Sequence, residues 1–170
     1  GSLGQVACLS NNLYILRKMK FNNQIDYFLS SIENGESDAS LFLIEKKFKV
    51  NDEFLLKLIQ YQYISLILKL LPYYSSFLLK NIILLKKRNL FANIIENNDF
   101  LTDDKIENDL VFLTILLNEE EIFILLIKTF PSKLKIKTPE NETLLSLAVQ
   151  QKNLKLVKFL INFDVINVNE

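Results

Sequence analysis

The sequence predicts an all-α protein built from about five helix pairs, and three observations lead there. Gly and Pro number only three each in 170 residues, too few for the many tight turns of a sandwich or barrel. Apolar residues recur with helical spacing in short segments that arrive two at a time. The last two pairs superimpose when the chain is slid along itself: Leu144 falls on Leu110, Leu147 on Leu113, Leu156 on Ile122, Phe159 on Leu125, Leu160 on Leu126 and Ile161 on Ile127. That spacing lies within the range of known helical repeats.

The pairs follow in order. The first is expected over Gln24–Ile32 and Asp38–Lys47, broken by Asn34-Gly35 and Ser37, with Asp38 as N-cap. The second covers Asp52–Tyr61, capped by Asn51, and Ile64–Leu71, stopped by Pro72. The third covers Ser75–Lys87 and Asn89–Asn97, before a loop through Asp104. The fourth covers Ile106–Leu117 and Glu119–Thr129. Asn118 stands at its N-cap position, and Glu119, Glu120 and Glu121 meet the positive end of the second helix. The fifth covers Glu142–Gln151 and Asn153–Asn162, after a Pro131–Asn141 segment long enough for a β-turn or short hairpin. A lone pair cannot hide its apolar faces, but stacked pairs cover one another, so a solenoid is expected.

Composition narrows the function. With 49% apolar and 24% charged residues a folded core is expected. Lys plus Arg equals Asp plus Glu at 20 each, and the cations are scattered, so no nucleic-acid or anionic-membrane partner is expected. The chain has no histidine, which removes Ser-His and Cys-His nucleophile pairs and His-based metal sites. The single cysteine, Cys8, cannot close an internal disulfide and reads as a small buried hydrophobe in a reducing compartment. The uncharged, largely apolar runs Leu58–Leu68 and Leu70–Leu79 are each too short to span a bilayer, so no membrane insertion is expected. Gly1-Ser2 reads as a remnant of tag removal, and the lack of a starting methionine suits a piece of a longer protein. One domain over residues 3–170 is expected, with degenerate repeats or an N-terminal cap over 3–102 and clearer repeats over 103–170.

Local chemistry is sparse. Three glycines cannot build a phosphate loop, and no Cys-x-x-Cys occurs. Asp103, Asp104 and Glu107 lack the spacing and turn glycine of a calcium loop. Lys86-Lys87-Arg88 reads as a helix end carrying favourable cations. Tyr61, Tyr63, Tyr73 and Tyr74 read as seals on helix ends. No cofactor, metal or catalytic residue is expected, and carboxylate acid-base chemistry has no local feature to support it.

The final unit runs Thr138-Pro-Glu-Asn-Glu-Thr-Leu-Leu-Ser-Leu-Ala148 and then Asn153-Leu-Lys-Leu-Val-Lys-Phe-Leu-Ile161. It resembles the ankyrin repeat. Thr143–Ala148 is similar to the Thr-Pro-Leu-His-x-Ala start of that family's inner helix, and Val157, Leu160 and Ile161 to its apolar outer helix. The resemblance implies that Thr143 caps the helix, that Asn141 takes the turn position of a glycine, and that Asn167-Val168-Asn169-Glu170 leads into a further repeat. Leu144 stands for the family's proline, Ser146 for its histidine, and Asp164 for its helix-ending glycine. The likeness is good over Lys137–Glu170, fair over Asp103–Thr129 and weak upstream.

The resemblance implies a protein-binding module with its partner on the concave face. Carried over position by position, that face comprises Pro139, Glu140, Glu142, Gln150 and Gln151 in the last repeat. In the one before it comprises Lys105, Ile106, Asn108, Leu116 and Leu117. Ile106, Leu116 and Leu117 are apolar where exposure is expected; they serve a partner or pack on the preceding pair. Two alternatives stay open: a regulatory domain of a larger enzyme, and a tetratricopeptide- or HEAT-like solenoid. The Ile, Leu, Lys and Asn bias fits an AT-rich genome and a cytoplasmic or nuclear location, host cytosol included.

Overall fold

The structure, a computed structural model, describes residues 50–168. It is all-α: among the described residues there are seven α-helices, two short 3-10 helices and no strand, only an isolated bridge. The helices are α1 (Asp52–Gln60), α2 (Ile64–Leu84), α3 (Arg88–Asn97), α4 (Asn108–Leu116), α5 (Glu120–Thr129), α6 (Leu144–Gln150) and α7 (Leu154–Val168). The first expected pair, 24–47, and Cys8 lie outside the described residues. The chain divides into two units between Leu78 and Leu79, inside α2.

In the first unit, Asn51 starts α1 as expected: its side-chain oxygen accepts from the Phe54 amide at 2.9 Å. Phe54, Leu55, Leu58 and Ile59 follow with helical spacing and are buried, as are Leu66, Ile67, Leu70 and Leu71 on α2. The break comes just after Pro72: the chain leaves helical geometry at Tyr74 (φ −136°, ψ 29°) and is helical again from Ser75, so α2 consists of two helical segments joined at a kink, the second starting where it is expected. Taken as one element across the kink, Ile64–Leu84 is the one described helix long and apolar enough to cross a bilayer, by length and composition only, and 44% of its apolar window is buried. It also carries Lys69 and Lys80, both exposed.

The second unit has two layers. Within the pairs, α4 packs on α5 and α6 on α7. Between pairs, α4 packs on α6, while α3, α5 and α7 follow one another, α3 against α5 and α5 against α7. Phe91, Ile94, Val111, Ile115, Phe123 and Ile127 are among the buried residues, and the Phe123 ring meets Phe159 edge-on at 6.1 Å.

One turn recurs four times. A residue with positive φ closes α1, α2, α4 and α6: Gln62 (52°), Lys86 (56°), Asn118 (54°) and Lys152 (54°). At each, its amide bonds three residues back and the next amide bonds five back, for example Lys152 to Val149 and Asn153 to Ala148. This is the Schellman arrangement, which satisfies carbonyls left over at a helix end. None of the four is glycine, although a side chain in the left-handed region meets the following carbonyl. Lys152→Gly is therefore expected to raise stability by about 0.5–1 kcal/mol in urea unfolding; a loss of stability would show that the Lys152 side chain matters to the fold.

The turn also revises the expected caps. Asn118 is the left-handed residue, and Glu119 holds the N-cap position of α5. Lys86 and Lys87 lie in a turn, and Arg88 opens α3 instead of closing the helix before it. Helix α4 starts at Asn108 rather than at Ile106, which is extended and buried at 1% exposure. Helix α7 runs to Val168, so Asn167 and Val168 belong to it rather than opening a further hairpin.

Related positions in the last two pairs differ in exposure. Val111, Ile115 and Ile127 are at 0%, whereas their counterparts one repeat on, Leu145, Val149 and Ile161, are at 40%, 57% and 49%. Their side chains are alike. What differs is the neighbour: α6–α7 packs against α4–α5, and no described pair follows α6–α7.

Candidate functional site

The segment before α6 is built by its own residues. Pro131 opens a 3-10 turn (Pro131–Lys135), and Lys137 then pairs with Thr143 in an antiparallel bridge. Between them the Thr138 amide donates to the Glu142 carbonyl at 2.9 Å, and the Asn141 amide to the Thr138 carbonyl at 2.8 Å. Asn141 adopts φ 66°, which Asn tolerates better than most residues. The Thr143 hydroxyl accepts from the Ser146 amide at 3.1 Å and caps α6. A small hairpin finger thus projects ahead of α6.

Ahead of α4 the chain takes another route. Asp103–Lys105 forms a single 3-10 turn, and no bridge follows among the described residues. The Thr102 hydroxyl donates to Asp104 and the Ser132 hydroxyl to Asp103. The Thr102 bond, then a backbone one, holds the Asp104 carboxyl below its ordinary value. Lys105 stands over the Phe100 ring at 3.9 Å and donates to the Phe100 carbonyl.

Between the finger and helices α4 and α6 lies an open groove of about 440 Å³. Phe112, Leu113, Leu116 and Leu147 supply its apolar lining; Asp109, Glu140, Glu142 and Gln150 supply the polar part. Gln150 donates to Glu142 at 2.8 Å. The structure brings five of the expected partner-face residues to this groove: Leu116, Pro139, Glu140, Glu142 and Gln150. Asn108 begins α4 beside it, accepting from Lys133 at 3.1 Å, while Lys105, Leu117 and Gln151 do not line it. Ile106 does not reach a surface at all, because its extended backbone turns the side chain into the core. Asp109, Phe112, Leu113 and Leu147 were not expected here; their helical spacing places them on the side of α4 and α6 that faces the finger.

A second set of polar residues ties the turns together. Glu119 is buried at 1% and accepts from Arg88 Nε at 2.8 Å. That hydrogen bond, with the adjacent negative charge, raises the already high pKa of Arg88. One turn further on, Asn153 is also buried. It donates to Asn118 at 3.0 Å and to Glu120 at 3.2 Å, and accepts from the Leu156 amide at 3.1 Å. In both cases the residue at the N-cap of one helix reaches back to the first residue of the corresponding helix in the preceding pair. Glu119 is thus a link between pairs rather than helix-start charge alone. Among the described residues no group of three or more Cys, Asp or Glu side chains stands close enough to hold a metal.

Compared with protein-family models, with curated proteins and with solved structures, the chain matches none.

Proposed function

We propose that the second unit is a short ankyrin-like solenoid acting as a protein-binding module, and that its partner docks in the groove between the finger and helices α4 and α6. The observation that carries this reading is the groove itself. It combines an apolar lining with a few polar groups, and Leu116 stands 51% exposed within it. The finger ahead of α6, the left-handed Asn141 and the Thr143 cap support the ankyrin-like reading over a tetratricopeptide- or HEAT-like one, which needs no finger. The 3-10 turn ahead of α4 departs from that pattern.

The test pairs Leu116→Asp with Gln150→Ala. Both residues are exposed, so the double variant is expected to melt within about 2 °C of the parent. Affinity capture from a native extract is expected to lose its specific partner. Equal recovery by parent and variant would remove the groove as the docking site.

A further inference from the structure

We infer that the groove receives a basic peptide segment carrying one large apolar side chain. The inference rests on the docking reading above and deepens it by naming the chemistry of the occupant. Three carboxylates line the groove, Asp109, Glu140 and Glu142, and among the described residues no Lys or Arg does. The whole chain is neutral, at 20 cationic and 20 anionic residues, so the acidic excess is local.

Among the described residues no cation neutralises these three acids. The ion pairs Arg88–Glu119 and Lys155–Glu120 leave them out. Lys133 donates to Asn108, and Lys105 stands over Phe100, so neither is paired with these acids. Glu142 accepts from Gln150, a neutral side chain that brings no positive charge. Complementarity therefore calls for Lys or Arg on the occupant. Phe112, Leu113, Leu116 and Leu147 call for an apolar side chain beside those cations. At about 440 Å³ and open on one side, the groove has room for a few side chains of an extended segment.

The experiment selects short displayed random peptides on the parent protein, with counter-selection on Leu116→Asp. Peptides lost on Leu116→Asp are expected to be net positive and to share a Leu, Ile, Phe or Met. Their affinity is expected to fall about three- to tenfold as salt rises from roughly 50 to 300 mM. Glu140→Lys with Glu142→Lys, whose folding is checked by circular dichroism, is expected to turn the selection toward net-negative peptides. Leu116-dependent peptides that are neutral or acidic on the parent overturn this inference and leave the docking reading standing. Failure to select any Leu116-dependent peptide overturns both.

Discussion

Phe123→Ala is expected to destabilise the protein by about 3–5 kcal/mol, enough to consume much of the roughly 5–15 kcal/mol that a domain of ordinary stability possesses. Phe123 is at 0% exposure on α5, which packs against α3, α4, α7 and the 3-10 turn after it. Truncation removes the transfer energy of the ring and leaves a cavity between helices of neighbouring pairs. It also deletes the edge-on contact with Phe159, worth about 0.5–1.5 kcal/mol. Phe123→Leu keeps most of the volume and should cost clearly less. Urea unfolding of both variants measures the difference. An alanine variant no less stable than the leucine one would mean that the contacts around α5 are far looser than the structure has them.

The second large effect is a contrast between two positions that superimpose when the chain is slid along itself. Ile115→Lys places an ammonium where exposure is 0%. A loss of at least about 3 kcal/mol is expected. Val149→Lys puts the same group where the side chain is 57% exposed, in the last turn of α6, where a cation suits the helix dipole. It is expected to change stability by no more than about 0.5 kcal/mol. Thermal melts of the two variants beside the parent decide the matter. Similar losses at both positions would indicate that Val149 is covered in solution.

Much of the helical order is legible in the sequence, since it depends on local chemistry. Asn51 and Thr143 cap their helices through their own side chains, and the apolar spacing of α1, α5 and α6 marks the buried faces. The Pro131–Asn141 segment carries its own turn residues, so its finger is expected as well. What escapes the sequence is set by distant neighbours. Three consecutive glutamates look equivalent, yet Glu119 is the buried one and pairs with Arg88, 31 residues earlier. Ile106 carries no sign of its extended backbone. The groove is half legible for the same reason: Pro139, Glu140 and Glu142 belong to the finger itself, whereas Phe112 and Leu147 enter through the packing of α4 on α6.

The side-chain bonds that link one turn to the next span 31, 33 and 35 residues. Short reach has a kinetic side. Closing a loop of that size costs far less entropy than joining distant chain ends, and folding rates rise as contacts become more local. Each such bond needs only its immediate neighbour in place, so order can spread stepwise from any helix pair that forms early. By the same logic, damage at one turn is felt first by the pairs on either side of it.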